Sequence, residues 1–357
     1  MKVTELWLYP IKGIRGIKIT EAKLNNQGFK HDRSFMICRI GKDGELEKLQ
    51  LARYPQCILF EQELVEDGSS TTIRVRYKTP DKPLVEPERP EMKETLDVPL
   101  EPDLENLERT DVNLHQSMVS AYKMGSHYDD WFSACFGFET VLLYIGDARR
   151  PVLGTFSPKA QKQATQAQKG WLSSITSYVT GANGAQEEPD WLTFTDCAPF
   201  LVTTEASLRD INGRLEKPIP IVKFRPNIVL DGETAWDEDF WAELSLDIGN
   251  SPTKMALTKL CLRCTSVNVD YETGRTAEGD EGAVLKKLSA YRRVDTGNKY
   301  SPSFGRYGFL SGNDDQGQEE TKLRIGDEVN VTARAEERPS WDWPMKDPKE
   351  ARFYGQS

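Results

Sequence analysis

Extended runs, most of them five to eight residues long and closed by a turn residue, recur along this chain and point it toward a β-rich fold. Val3 to Tyr9 alternates and stops at Pro10, and Ile17-Lys18-Ile19 is a second extended piece. Phe35 to Ile40 runs into the turn Gly41-Lys42-Asp43-Gly44. Leu192 to Val202, Phe224 to Leu230, Met255 to Cys264, Arg306 to Leu310 and Leu323 to Val331 repeat the pattern. Helical signals are few. They lie from Asp129 (DDWFSACFGF, followed by a strand Thr140 to Ile145), after an N-cap at Thr204 through Leu215, at Asp237 to Glu243, and around Ala283 to Leu288. The expectation is a β-rich α+β chain, barrel-like with scattered helices, rather than a doubly wound sheet.

At 357 residues there is room for two domains. Residues 78–105 (KTPDKPLVEPERPEMKETLDVPLEPDLE) read as a long proline- and acid-rich loop. Residues 157–190 are rich in Gln, Ala and Ser; if helical, they place Trp171, Leu172, Ile175, Tyr178 and Val179 on one face, packed against their own domain. From Arg338 the tail carries proline and tryptophan without a period, either a strap across the body or a disordered end. The expected division is therefore a β subdomain over 1–145, an insertion over 146–190, a second β-barrel domain over 191–337 and a tail over 338–357.

The net charge of −10 argues against a protein whose main task is to grip nucleic-acid phosphates, yet leaves room for a local basic pocket. Neither a secretory leader nor an apolar stretch of about 18 residues is visible, so no spanning helix is expected. The start MKVTELWLYPIKG reads directly as a first strand, which gives the expectation of a cytoplasmic protein, with peripheral mitochondrial or membrane association as the alternative. Six scattered cysteines do not look like a disulfide framework, and three histidines are too few for a histidine-rich metal site.

The strongest local feature is Cys261-Leu262-Arg263-Cys264. Structural zinc needs a second ligand pair, and none is present at suitable spacing. A thioredoxin-like pair would open a helix, whereas this one ends a strand. Two readings stay open: a pair of packed thiols, or one thiolate ligating a soft-friendly metal while its neighbour packs. On an extended segment the two cysteines would point to opposite faces, so that only one looks into a site. Other pieces suit anions. They are Lys12-Gly13 after a proline turn, Arg33 in His31-Asp32-Arg33, and Arg225 with Asn227, a fork donor and an amide on one face of an extended segment. Asp270 is a candidate for proton handling, weighed against a turn-forming role before Tyr-Glu-Thr-Gly.

Taken in order, these motifs resemble the MOSC-domain family, named for the C-terminal domain of molybdenum cofactor sulfurases, and within it the mitochondrial amidoxime-reducing components. The resemblance rests on YPIKG, GFKHDRSFMI, DCAPFLVTTEASLRDINGRL, FRPNIVLDG, CLRCTSVNVDYETG, KYSPSFGRYG and IGDEV. It implies a MOSC-type β-barrel behind an N-terminal β-barrel-like subdomain, and a bound molybdenum–molybdopterin cofactor. Cys264 would then be the protein ligand to molybdenum. Lys12, Arg33, Arg225, Asn227 and Arg263 would hold the pterin and its phosphate, and Asp196, Gly13 and Leu262 would line the same group. Gly13, Leu262 and Cys197-Ala198 stand where relatives often carry hydroxyls, so only backbone contacts remain there. The implied activity is reduction of N-hydroxylated compounds, fed by a b-type cytochrome and its flavin reductase. The rivals are a cofactor carrier or sulfur-handling module without redox turnover, and a partner-binding protein that has lost the cofactor.

Overall fold

The computed structural model describes residues 1–68, 70–172, 189–248, 252–311 and 321–344, with side chains omitted over 167–172. Its largest sheet has eight strands. From one edge these are Val329–Arg334, Trp241–Leu246, Thr253–Leu262, Ser303–Ser311, Phe200–Thr204, Ile228–Leu230, Val3–Leu8 and Ile17–Ile19. All pairings are antiparallel except that of Phe200–Thr204 with Ile228–Leu230. The first strand of the chain thus sits among strands from its C-terminal half. A bridge between Lys2 and Glu328, with Met1 and Val329 exchanging N–H···O bonds of 3.0 and 2.8 Å, carries that strand round to the opposite edge and curls the sheet. The interior of this curled half-barrel fills with Val3, Leu6, Leu8, Val202, Leu230, Leu244, Leu246, Met255 and Leu257.

The N-terminal half builds a second β unit. Arg109–Leu114, Ser117–Lys123, Thr140–Tyr144, Phe35–Ile40 and the short Ile11–Lys12 form one sheet, and Phe60–Asp67, Ser70–Tyr77 and Thr95–Pro99 another. The helix Ser126–Phe136 presses Trp131, Phe132 and Phe136 onto Phe60, with ring centroids 4.5–5.9 Å apart. Its C-terminus is capped by Gly137 at φ 77°, a left-handed position that glycine takes without strain.

Several sequence expectations need correction. The loop of 78–105 contains the strand Thr95–Pro99, whose alternation (Leu96 and Val98 in, Thr95 and Asp97 out) is hidden between prolines. The run Leu192 to Val202 is not continuous: strands Trp191–Leu192 and Phe200–Thr204 flank a loop whose carbonyls are taken by Arg150 rather than by a neighbouring strand. Phe224 to Leu230 is strand only from Ile228; Ile221–Phe224 is a 3-10 turn and Arg225 is left-handed at φ 54°. The helix at Asp237 stops at Phe240, and Trp241–Leu246 is a strand. The N-cap at Thr204 does form, its hydroxyl accepting from Ser207 N at 3.1 Å, on a helix Glu205–Asn212. Pro158–Leu172 is helical; the proposed stripe falls on side chains outside the described residues. The tail is a strap through residue 344, with Trp341 and Trp343 buried.

Candidate cofactor site

One cleft gathers segments from both halves. It is lined by Lys12, Gly13, Arg33, residues 49–52, residues 195–198, Leu201, residues 224, 225 and 227, residues 261–264, Ser266, Tyr307 and Trp341. Of the residues singled out from sequence, Lys12, Gly13, Arg33, Asp196, Arg225, Asn227, Leu262, Arg263 and Cys264 all meet here.

Local backbone explains how they arrive. Ile11–Lys12 pairs in parallel with Phe35 and Met36, so Lys12 and the turn carrying Arg33 enter side by side. Gly13 sits at φ 93° with its missing Cβ 3.2 Å from Leu49 O, which lets residues 49–52 close on the cleft. Asp32 is buried and organises the corner that holds Arg33 and Asn227. Its carboxylate accepts from Tyr9 N at 2.8 Å, Asn227 Nδ2 at 3.0 Å and Arg33 Nη1. The guanidinium groups of Arg33 and Arg225 lie 4.2 and 4.4 Å from the Tyr9 ring centroid. Arg33 and Arg225 both hold positive φ (49° and 54°), left-handed backbone that costs energy for a residue other than glycine.

Asn227 differs from its expected role. Both its amide hydrogens are used, to Asp32 Oδ2 and Trp7 O, and its Oδ1 accepts from Leu201 N at 3.2 Å. Its carboxamide ties three segments together rather than reaching into the cleft. Asp270 is not brought to the cleft. Its Oδ1 accepts from Glu272 N at 2.7 Å and Thr273 N at 3.1 Å, and its carbonyl from Gly274 N, a turn built by a side chain satisfying its own backbone.

The two cysteines do not alternate across one strand as expected, because the strand ends at Leu262. The register slips between Leu260 and Leu262, against Gly305 at φ 85° on the partner strand, and Cys264 lies beyond the ladder in extended backbone before the 3-10 turn Thr265–Asn268. Cys261 and Cys264 therefore both line the cleft, but unequally. Cys264 is the one cysteine of six that is not buried, with Sγ 3.2 Å from Ser266 Oγ. Cys261 is held by Arg263 Nη1 at 2.9 Å, and burial pushes its thiol up.

Electrostatically the cleft is an island of positive charge in an acidic protein. Lys12, Arg33, Arg225 and Arg263 line it against one carboxylate, Asp196. Lys12 Nζ sits 2.5 Å from Asp196 Oδ1; burial lowers its ammonium to about 8 while Asp196 pulls the other way. The cleft wall partly desolvates the half-exposed Asp196 and works against its charge, yet Lys12 and the buried His115, 3.4 Å away, hold its carboxyl well below the usual range.

Sequence reasoning missed three contributors. Arg150 is fully buried and spends its guanidinium on main-chain oxygens of the Asp196 loop: Thr193 O at 2.9 Å, Thr195 O at 2.5 Å and Asp196 O at 2.8 Å. It is the scaffold of that loop. Residues 49–52 and Trp341 complete the walls, and none of the three carries a local signal beyond an arginine before a proline or a tryptophan in an aperiodic tail.

The donor set fits an anionic organic ligand that brings a metal with it. Thr195 Oγ1 and Arg263 Nε, in residues lining the cleft, are buried without a hydrogen-bond partner among the described residues. No cluster of three or more His, Cys, Asp or Glu side chains among the described residues could hold a metal alone. A metal at Cys264 would have to draw its remaining ligands from an organic partner, and the basic wall would suit that partner's negative charge.

Comparison with known proteins agrees in extent and order. The chain is 26% identical to mitochondrial amidoxime-reducing component 1 of Homo sapiens, over 92% of this chain and 82% of that protein. It is 27% identical to mitochondrial amidoxime reducing component 2 of Rattus norvegicus over the same shares. Human molybdenum cofactor sulfurase is 26% identical over 85% of this chain, but only 29% of that longer protein is covered. Residues 1–139 match the MOSC N-terminal beta barrel domain and residues 189–330 the MOSC domain. With both domains present in order on a β-rich fold, the chain belongs to the MOSC-domain family.

Proposed function

We propose that this chain binds the molybdenum–molybdopterin cofactor in the cleft and reduces N-hydroxylated compounds of the amidoxime or hydroxylamine type. One observation carries the reading: the single accessible thiol, Cys264, shares a cleft with four cationic side chains. In this assignment Cys264 is the protein ligand to molybdenum. Lys12, Arg33, Arg225 and Arg263 face the anionic pterin and its phosphate. Gly13 offers close backbone, and Leu262 an apolar wall. Asn227 and Asp32 keep the arginines in place, and Asp196 fixes Lys12 by ion pairing. Asp270 has no part in it.

The cofactor, when bound, supplies two-electron removal of oxygen from an N–OH group, its electrons coming one at a time from a b-type cytochrome and its flavin reductase as the family resemblance implies. The protein's share is orientation and charge. Fixed guanidinium groups need no reorganisation when the anion arrives, since Arg33 and Arg225 are already stacked and hydrogen-bonded. The names of relatives that match over most of this chain support reduction of amidoximes.

The likeness to molybdenum cofactor sulfurase favours a second reading, a carrier or sulfur-handling module that holds the same group without turnover. Turnover of benzamidoxime by cofactor-loaded protein with a reconstituted electron chain decides between them. Steady reduction supports the enzyme; loaded but inert protein, with every N-hydroxylated compound offered, supports the carrier. Among the described residues no helix is long and apolar enough to cross a membrane. The location proposed is cytoplasmic, with peripheral mitochondrial association as the alternative, and cell fractionation separates the two.

A further inference from the structure

The strap over residues 338–343 lies outside both matched domains, which end at residues 139 and 330, yet it is fastened to the body at several points. Arg338 Nε donates to buried Asp239 at 2.7 Å, and Lys259 Nζ reaches Ser340 O at 2.6 Å. Trp341 N donates to Asp295 Oδ1 at 2.9 Å. Asp342 accepts from Thr155 N and Oγ1 at 2.8 and 2.6 Å and pairs with Lys259 at 3.0 Å. Gly297 is needed beneath the strap, since a Cβ there would lie 2.0 Å from Trp341 O.

So many anchors on one extended segment fix what its two tryptophans cover. Trp341 lines the cleft at 4% exposure and packs edge-on to Phe156, with centroids 4.8 Å apart. Trp343 meets the same ring at 5.1 Å. Both belong to one apolar cluster with Cys197, Leu201, Cys261 and Tyr307. Three cysteines therefore border the cleft, two of them under this cluster, and only Cys264 is open. The strap also reaches the charged corner, because Trp343 Nε1 donates to His115 O at 2.8 Å and the His115 ring lies 3.4 Å from Asp196.

We propose that the C-terminal strap is an integral wall of the site, with Trp341 as a positioning residue that seals Cys197 and Cys261 so that the cleft presents one reachable thiol. A ligand seeking a thiolate then has a single choice, and a thiol-reactive oxidant finds no second sulfur beside the first. The inference stands on packing and holds whether the occupant is the proposed cofactor or not.

Native full-length protein is treated with N-ethylmaleimide and the modified cysteines are mapped by mass spectrometry, with thermal melting run alongside. In the wild type only Cys264 is expected to react quickly. Trp341→Ala is expected to add Cys197 and Cys261 at rates raised at least tenfold, with Cys38, Cys57 and Cys135 still protected. Trp341→Phe keeps an aromatic plug and is expected to restore the wild-type pattern, a rescue that general loosening would not give. Should Trp341→Ala expose all six cysteines through unfolding, Asp342→Ala decides instead, because it releases the strap from Thr155 and Lys259 without emptying the cluster. A folded variant of either kind with unchanged Cys197 and Cys261 reactivity overturns the proposal. Loss of activity with an unchanged thiol pattern would count against it as well, and leave the reading of the cofactor untouched.

Discussion

Replacing Arg150 with methionine tests whether the loop bearing Asp196 is held by one buried guanidinium. The structure supplies the magnitude. Three carbonyls, on Thr193, Thr195 and Asp196, receive bonds of 2.5–2.9 Å, while the contact to Leu114 O is long at 3.4 Å. The Thr195 contact is buried and the other two are part-buried, and leaving each carbonyl without its donor costs ~2 kcal/mol. Methionine removes a buried charge as well, and that charge is unhappy: burial pushes the Arg150 guanidinium down to about 10, and Asp196 offsets this only in part. Relief of that strain returns ~3 kcal/mol. Arg150→Met should therefore lose about 3 kcal/mol, read as a lower urea midpoint at unchanged slope. Arg150→Lys should fall between the two, since an ammonium offers three donors and no planar fork. A loss below ~1 kcal/mol for the methionine variant would refute the reasoning and mean that the loop holds itself.

Glu238 is buried, one of its oxygens has no hydrogen-bond partner among the described residues, and burial raises its carboxyl to about 7. A raised folded-state value stabilises at acid pH: the contribution is whole below the ordinary value near 4.5 and is lost as pH rises through about 7. Glu238→Gln should flatten that dependence and melt higher than the wild type at pH 8.5; parallel melting curves across pH would sink this. Asp270→Ala should cost ~1 kcal/mol through its turn and leave cofactor content unchanged. Cofactor loss from folded Asp270→Ala would restore it to the site.

Much of the candidate site was readable in sequence because its residues sit in or beside turns and strand ends, where a lysine, glycine or arginine stands out against apolar neighbours, and because their order resembles the MOSC-domain family. Lys12-Gly13, Arg33, Arg225 and Cys261 to Cys264 are of this kind. What failed did so where tertiary contacts replace local rules. The Cys261–Cys264 alternation holds only while a ladder continues, and this one ends at Leu262. The extended reading of residues 224–227 missed the left-handed turn at Arg225 that aims its guanidinium toward Tyr9. Arg150 looks like half of a solvated pair until its four carbonyl partners are seen, three of them more than forty residues away. Trp341 sits in a tail without period, so nothing local tells a wall from a loose end. Asn227 lines the cleft, but its amide is consumed by the scaffold rather than left for a ligand.

The central claim is that Cys264 holds a metal brought by an anionic cofactor. Metal analysis of protein purified from a host that makes the molybdenum cofactor tests it most directly, on wild type, Cys264→Ala and Cys261→Ala together. The account predicts close to one molybdenum per chain in the wild type, retained in Cys261→Ala and lost from folded Cys264→Ala. Folded wild type without molybdenum, or a Cys264→Ala variant that keeps it, would contradict the account.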